Sequence, residues 1–243
     1  IDNATTRGQV QKLVLNAWAT SLDGAAVFPA YKDEQHKAPG PIEPVTSLPL
    51  LIGLDHSGLH PAAVLGQVVM GRLNVLDEAI FTDDEAGMTF TEFVEQELAP
   101  LLASKYAGMR VDVILDPAIT RNQIDGRTVT TILSEAGLSS RPAITNDPRL
   151  RRDAVTRWLN KANAFKISST CPRTLRAMRG GYRFKTNRAG NVTKEVVKDS
   201  NSHPGEALQY LCIGLNSGSS GVSTSLMPAG FAPSTAPRVL AAR

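Results

Sequence analysis

Three apolar runs in the first half of the chain have the length and composition of β-strands. They are "LPLLIGLD" at 48–55, "PAAVLGQVVM" at 61–70 and "RLNVLDEAIF" at 72–81. Only short links that contain glycine separate these runs, and such links commonly join antiparallel neighbours. The pattern therefore predicts an antiparallel meander of three strands.

A helix and a fourth strand are predicted next. Thr89 and Glu92 have the spacing of a capping box, which marks the start of a helix. Its apolar stripe is formed by Phe90, Phe93, Val94, Leu98, Leu101 and Leu102. The segment "MRVDVILDP" at 109–117 alternates instead, with Val111, Val113 and Leu115 on one side and Asp112, Ile114 and Asp116 on the other. Pro117 stops this strand directly after Asp116.

The remaining patterns divide the chain into three parts. Residues 1–47 are predicted to hold a helix, with Val10, Leu13, Val14 and Trp18 on one face, and a proline-rich connector at 38–49 that leads into the next part. Residues 48–215 form the main α/β domain. Its second half contains a basic amphipathic helix at 151–161, a β-hairpin at 180–198 and a helix that opens at a capping site, Ser202, and runs to Leu215. Residues 216–243 are rich in Ser, Gly and Pro and are expected to be a flexible tail.

Composition places the chain among soluble globular proteins. Of its 243 residues, 42% are hydrophobic and 20% are charged. No apolar run is long enough to span a membrane, and the polar N-terminus is unlike a signal peptide. It lacks an initiator Met, which suggests a fragment of a longer chain. Two cysteines, Cys171 and Cys212, without metal-ligand spacing suit a reducing cytosol, as two buried small apolar residues.

Charge is distributed very unevenly along the sequence. Residues 1–140 carry a net charge of −9, whereas residues 141–198 carry +12. A basic block is commonly only a solvated face, but one so one-sided fits a polyanionic partner, above all nucleic acid.

Two acids stand at predicted strand ends. Asp55 ends the first strand and Asp116 ends the fourth, and we expect these strands to lie parallel and adjacent, so that their carboxyl ends meet at one sheet edge. Two close carboxylates repel each other unless divalent cations such as Mg²⁺ or Mn²⁺ lie between them. For either acid taken singly, a turn or cap role is the simpler interpretation.

Other catalytic motifs are absent from the sequence. The four histidines (His36, His56, His60 and His203) do not have the H-E-x-x-H spacing of a zinc protease. Neither the nucleophile elbow G-x-S-x-G nor a phosphate-binding loop G-x-x-x-x-G-K-[ST] occurs, so serine hydrolysis and ATP hydrolysis are not expected.

Five motifs, in this order, resemble the C-terminal nuclease domain of tailed-phage large terminase subunits. They are "GAAVFPAY", "LIGLDHSG" with "PAAVLGQ", "VILDPA", "GGYRF" and "SHPGEALQYL", and they extend from about residue 24 to 215. The resemblance implies a ribonuclease H-like fold, a mixed sheet flanked by helices with a basic β-hairpin insertion. It also implies metal-dependent cutting of concatemeric viral DNA during packaging, in the host cytoplasm at the procapsid.

The family's site residues can be carried over onto this sequence. Asp55 matches the acid of the first strand, Asp116 that of the fourth, and Glu206 the helical acid, which is usually Asp. Glu is one methylene longer, so metal spacing or affinity is open to change. By itself, Glu206 in a first helical turn is explained by the helix dipole.

The resemblance implies two divalent ions, Mg²⁺ or Mn²⁺, held by these three acids. Implied partners are double-stranded DNA, an ATPase motor domain, a portal and a small terminase subunit. The hairpin is the best candidate for DNA contact through Arg183, Lys185, Arg188 and Lys194, although these residues also suit a solvated face.

Three functions remain open from the sequence. The first is an endonuclease that hydrolyses DNA by a two-metal mechanism with little sequence preference. The second is another nuclease of the same fold, a junction resolvase or a transposase. The third is a catalytically silent DNA-binding module, whose acids would bind no metal.

Overall fold

The protein is described by a computed structural model that covers residues 24–56, 58–81, 87–118, 123–124, 126–216 and 225–226. The helix expected over residues 1–20 lies outside these ranges. Within them, no helix has the length and apolar character needed to cross a membrane.

A seven-stranded mixed sheet forms the centre of the fold. Its first three strands are β1 (Leu50–Asp55), β2 (Ala62–Val69) and β3 (Arg72–Ile80). They pair as the predicted antiparallel meander. Strand β4 (Arg110–Leu115) pairs in parallel with β1, with Leu54 opposite Leu115. The expectation that the first and fourth strands are parallel neighbours is therefore confirmed, and their carboxyl ends lie side by side.

Short strands complete both edges of the sheet. Strand β7 (Ser140–Pro142) pairs in parallel with β4, and β8 (Phe165–Ile167) pairs in parallel with β3. Strand β11 (Ser225–Leu226) pairs antiparallel with β4, so these two residues of the predicted flexible tail belong to the sheet. Strands β5 (Gln123–Ile124) and β6 (Arg127–Thr128) form a separate small hairpin.

Helices cover both faces of the sheet. They are α1 (Asp33–His36), α2 (Phe90–Phe93), α3 (Ala99–Lys105), α4 (Val129–Glu135), α5 (Pro148–Asn160), α6 (Pro172–Arg176) and α7 (Ser202–Asn216). A π-helical turn at Val94–Leu98 joins α2 to α3, and another at Ala177–Gly181 follows α6.

The observed helix starts agree in part with the starts predicted from the sequence. The predicted capping box is formed, since Thr89 accepts from the backbone N–H of Glu92 and Glu92 accepts from that of Thr89. Helix α5 begins before the predicted basic segment, because the side chain of Asp147 caps it by accepting from the N–H of Arg149 at 2.7 Å. Helix α7 begins at Ser202 as expected, and the Ser202 hydroxyl donates to the carbonyl of Asp199.

The strand alternation divides the apolar residues between two cores. In β4, Val111, Val113 and Leu115 pack towards α2, α3 and α4, whereas Ile114 packs towards α5, α6 and α7. The predicted faces of this strand are thus confirmed. By the same alternation, Asp55 and Asp116 lie on the α7 face of the sheet.

Helix α7 lies unusually close to this face. A Cβ atom at Gly53 would lie 2.1 Å from the carbonyl oxygen of Ala207 and 2.3 Å from the backbone nitrogen of Leu211. On the helix side, a Cβ at Gly214 would lie 2.5 Å from Ile114. Glycine at these positions lets the helix rest directly on β1 and β4, next to their carboxyl ends.

The predicted hairpin is present as strands β9 (Phe184–Thr186) and β10 (Val192–Val196). It is anchored to the rest of the protein at its base, where Arg183 forms an isolated bridge with Ala26. Val27 and Phe28 continue from this bridge into the core on the α7 side. Residues shortly before the connector therefore pack with the main α/β body.

Candidate active site at the carboxyl ends of β1 and β4

Asp55 and Asp116 occupy neighbouring strand ends. Asp55 is the last residue of β1 and is 7% exposed, whereas Asp116 directly follows β4 and is half-buried. Their strands are paired up to Leu54 and Leu115, so the acids are the next residues of adjacent parallel strands. The structure therefore brings these two predicted site residues together at one sheet edge.

Tyr210 of α7 lies beside both acids. Its hydroxyl donates to Oδ2 of Asp116 at 2.6 Å, while Oδ1 of Asp116 accepts from the backbone N–H of Ala118 at 2.8 Å. Burial raises the pKa of the Tyr210 phenol, and the hydrogen bond to Asp116 and the negative charges of Asp116 and Asp55 raise it further. The phenol therefore stays protonated near neutral pH and holds Asp116 in one orientation.

His203 of α7 holds Asp55. Its Nδ1 atom lies 3.2 Å from Oδ2 of Asp55, and its ring stacks on that of His60 with the centroids 5.7 Å apart. Because His203 stands in the first turn of α7, this contact ties the helix start to the end of β1.

Glu206 is buried, although a first-turn carboxylate that served only the helix dipole could equally lie at the surface. Its residue exposure is 6%, and Oε1 accepts from the ammonium of Lys198 and, at 3.3 Å, from the hydroxyl of Tyr182. Gln209 donates in turn to the Tyr182 hydroxyl. Helix α7 also packs closely on the segment that bears Tyr182, since a Cβ atom at Gly205 would lie 2.7 Å from the Tyr182 ring.

A buried guanidinium lies against the ring of Tyr210. Arg151 of α5 is 7% exposed, and its Cζ atom lies 4.5 Å from the centroid of the Tyr210 ring. Its positive charge lowers the pKa of Tyr210 and of Tyr182, although burial and the nearby carboxylates outweigh this effect. Within the described part of the chain, Nε and Nη1 of Arg151 have no hydrogen-bond partner. The cation therefore influences the site through its charge and through its contact with the Tyr210 ring.

The donor set suits hard divalent cations, but the acids do not form one closed ligand group. Carboxylate oxygens are the ligands that Mg²⁺ and Mn²⁺ prefer. Among the described residues, no group of three or more His, Cys, Asp or Glu side chains is arranged to hold a metal ion. One carboxylate oxygen of Glu206, Oε1, accepts from the Lys198 ammonium. A metal ion that bound through this oxygen would therefore have to displace Lys198.

The four predicted DNA-contact residues of the hairpin differ in how strongly they are held. Arg183 is half-buried and donates to Asp199 at 3.0 Å and to the carbonyl of Gly181. Lys185 pairs with Glu195 at 2.9 Å at the surface. Arg188 and Lys194 are exposed, and no ion pair of theirs occurs within the described ranges.

Several residues of the site were missed by the sequence analysis. His203 and Tyr210 are two of them, and they are spaced i−3 and i+4 from the predicted Glu206, which places all three on one face of a helix; this signal was present in "SHPGEALQYL". Lys198 and Arg151 had no such signal, because their contacts join different elements of the fold.

Comparison with known proteins identifies the fold. No protein-family model and no curated protein sequence matches this chain. The large terminase of a thermophilic bacteriophage superimposes with a TM-score of 0.61 at 17% identity, over 88% of this chain and 53% of that chain. The same terminase in complex with ADP gives a TM-score of 0.60 at 18% identity, over 86% of this chain and 49% of that chain.

A smaller solved protein matches over nearly its whole length. The large terminase nuclease from thermophilic phage G20c with bound magnesium has a TM-score of 0.54 at 14% identity, over 78% of this chain and 97% of that chain. The present chain spans about half the length of the large terminase compared above. These likenesses confirm the expected ribonuclease H-like fold, a mixed sheet flanked by helices.

Proposed function

We propose that this protein is a metal-dependent DNA endonuclease whose catalytic and metal-binding residues are Asp55, Asp116 and Glu206. The observation that carries the proposal is the meeting of Asp55 and Asp116 at the carboxyl ends of two parallel neighbours, beneath a helix that also bears Glu206. The G20c nuclease, which has the same fold, was solved with bound magnesium. A divalent cofactor, Mg²⁺ or Mn²⁺, follows from that likeness and from the all-carboxylate donor set.

The chain's own residues would orient the reacting groups. Two divalent ions, when bound, supply an activated water molecule and stabilise the leaving oxygen in phosphodiester hydrolysis. Tyr210 holds Asp116 and His203 holds Asp55, so the rotamers of both acids are set in advance. The low exposure of Asp55 and Glu206 strengthens their attraction for a cation, because few water molecules screen it.

The basic half of the sequence would bring DNA to this site. The net charge of +12 over residues 141–198 favours a polyanion, and the exposed hairpin residues Lys185, Arg188 and Lys194 remain candidates for phosphate contact. Arg183 is a weaker candidate, since its guanidinium is already paired with Asp199. Contacts to phosphates carry little sequence information, so we expect cleavage with little sequence preference.

The biological setting proposed for this activity is viral genome packaging. By likeness to large terminases, the protein would cut concatemeric viral DNA in the host cytoplasm, together with an ATPase motor domain, a portal and a small terminase subunit. Residues 48–215 would be the nuclease domain of this assembly.

The test is nicking of supercoiled plasmid. We expect relaxed and linear DNA in Mn²⁺ or Mg²⁺, and intact plasmid when a chelator is in excess. Asp55→Asn should reduce cleavage by orders of magnitude. Asp153→Asn, which removes the same charge from the exposed face of α5, should cut like the wild type.

Two results would contradict the proposal. Full cleavage in excess chelator would exclude the metal mechanism. Binding of plasmid with no cleavage in either metal, together with no heat of Mn²⁺ binding in calorimetry, would indicate a silent DNA-binding module instead.

A further inference from the structure

A small pocket lies beside the candidate active site and is lined by polar side chains from three parts of the chain. Its lining residues are His60, Ile80, Phe81, Arg173, Ser200 and His203. His203 joins it to the site, because the same imidazole contacts Asp55 at 3.2 Å. The pocket is thus separated from Asp55 by the thickness of one side chain.

The charge of this pocket favours an anion. Arg173 supplies a permanent positive charge and several N–H donors, and Ser200 supplies a hydroxyl. No carboxylate is among the lining residues in the described part of the chain. The Arg173 guanidinium forms no ion pair within the described ranges, since Glu78 is bound by the backbone N–H of Arg173 rather than by its side chain.

The size of the pocket limits its ligand. Its volume is about 10 Å³, which is room for roughly one water molecule or one oxygen atom. A nucleobase or a free sugar does not fit, whereas a single non-bridging oxygen of a phosphate group does.

We propose that this pocket binds a phosphate oxygen of the DNA backbone, next to the scissile phosphate, through Arg173 and Ser200. This inference rests on the proposed nuclease function and deepens it, because it gives the DNA strand a defined anchor beside Asp55. The anchor lies outside the hairpin and outside the three acids. It positions the substrate and takes no part in the bond cleavage.

The test measures DNA affinity as a function of salt. Binding of a fluorescent duplex is followed by anisotropy in chelator, so that no cleavage occurs, across a series of potassium chloride concentrations. For Arg173→Gln we expect about tenfold weaker binding at moderate salt. We also expect the slope of log K against log salt to fall by roughly 0.9, as for one lost phosphate contact.

Two variants serve as matched comparisons. Arg176→Gln removes the same charge from an exposed residue of the same helix α6 that does not line the pocket, and its slope should equal that of the wild type. Ser200→Ala should weaken binding about threefold with an unchanged slope, because a hydroxyl displaces no counterion. Circular dichroism and melting of each variant establish that the fold is retained.

The outcomes separate this proposal from the nuclease proposal. If the wild type binds and nicks DNA but Arg173→Gln and Arg176→Gln have the same slope, the pocket is not a phosphate site and the nuclease proposal stands. If inorganic phosphate at millimolar concentration displaces the duplex from Arg176→Gln and not from Arg173→Gln, the pocket serves free phosphate as well as DNA. If the wild type neither binds nor nicks DNA, both proposals fail.

Discussion

The ammonium of Lys198 donates to Oε1 of Glu206, the buried carboxylate that the family resemblance implies as a metal ligand. Lys198 lies two residues after the end of the β10 strand of the hairpin, and Glu206 lies in the first half of α7. Only the lysine of this pair is accessible to solvent, since the Lys198 side chain is 60% exposed while that of Glu206 is 8% exposed. A cation that binds Oε1 of Glu206 would therefore compete with Lys198, a side chain that is mostly exposed to water.

Replacing Lys198 with methionine should tighten metal binding. An ion pair with one exposed partner contributes about 1 kcal/mol or less, so we expect Mn²⁺ to bind up to about fivefold more tightly to Lys198→Met in calorimetry. Lys194→Met, at an exposed position of β10, is the matched control and should bind Mn²⁺ like the wild type. Equal affinities in all three proteins would show that Lys198 does not compete with the metal.

Glu206→Gln should separate stability from chemistry. The amide oxygen still accepts from Tyr182 and Lys198, so the free energy of unfolding should fall by about 1 kcal/mol, the difference between a charged and a neutral acceptor. Loss of the charge should weaken metal binding and reduce plasmid nicking by orders of magnitude while DNA binding persists. The control is Glu95→Gln, which makes the same isosteric change at an exposed residue on the opposite face of the sheet. If Glu206→Gln nicked plasmid at the wild-type rate, Glu206 would not be part of the active site.

Tyr210→Phe tests whether orientation of Asp116 matters. The substitution removes the 2.6 Å hydrogen bond and keeps the ring that packs on Arg151. We expect Mn²⁺ affinity to fall about tenfold, as when a ligand loses its outer hydrogen-bond partner. The free energy of unfolding should fall by about 1 kcal/mol. Tyr106→Phe makes the same change at an equally buried position in the other core. A Mn²⁺ affinity of Tyr210→Phe equal to that of Tyr106→Phe would argue against this role.

Gly53→Ala should unfold or severely destabilise the protein. The added Cβ would lie 2.1 Å from a backbone carbonyl of α7, and backbone atoms on both sides leave no flexible neighbour to yield. We expect the free energy of unfolding to fall by about 3 kcal/mol or more, measured by urea denaturation. Gly40→Ala, where the new Cβ meets nothing within 4 Å, should be neutral. If both variants were equally stable, α7 would not rest on β1 as described.

Much of the framework around the site was predictable from local patterns. Alternation with period two assigned the faces of β4, and the capping box at Thr89 located the start of α2. The same patterns put Asp55 and Asp116 at the ends of strands. Such features depend on neighbours a few residues away, and a linear sequence displays them directly.

The sequence by itself determined the first four strands, the hairpin, the starts of α2 and α7, the face of β4 on which Asp116 lies, and the resemblance that suggested three site residues. The tertiary structure alone decided which partners hold those acids. His203 meets Asp55 across 148 positions of sequence, and Tyr210 meets Asp116 across 94. These contacts depend on how closely α7 packs on the sheet, which glycine at 53 and 214 permits. The burial of Glu206 against Tyr182 and its pairing with Lys198 are likewise contacts between different elements. Periodicity within one element specifies a face but not the remote side chain that will meet it.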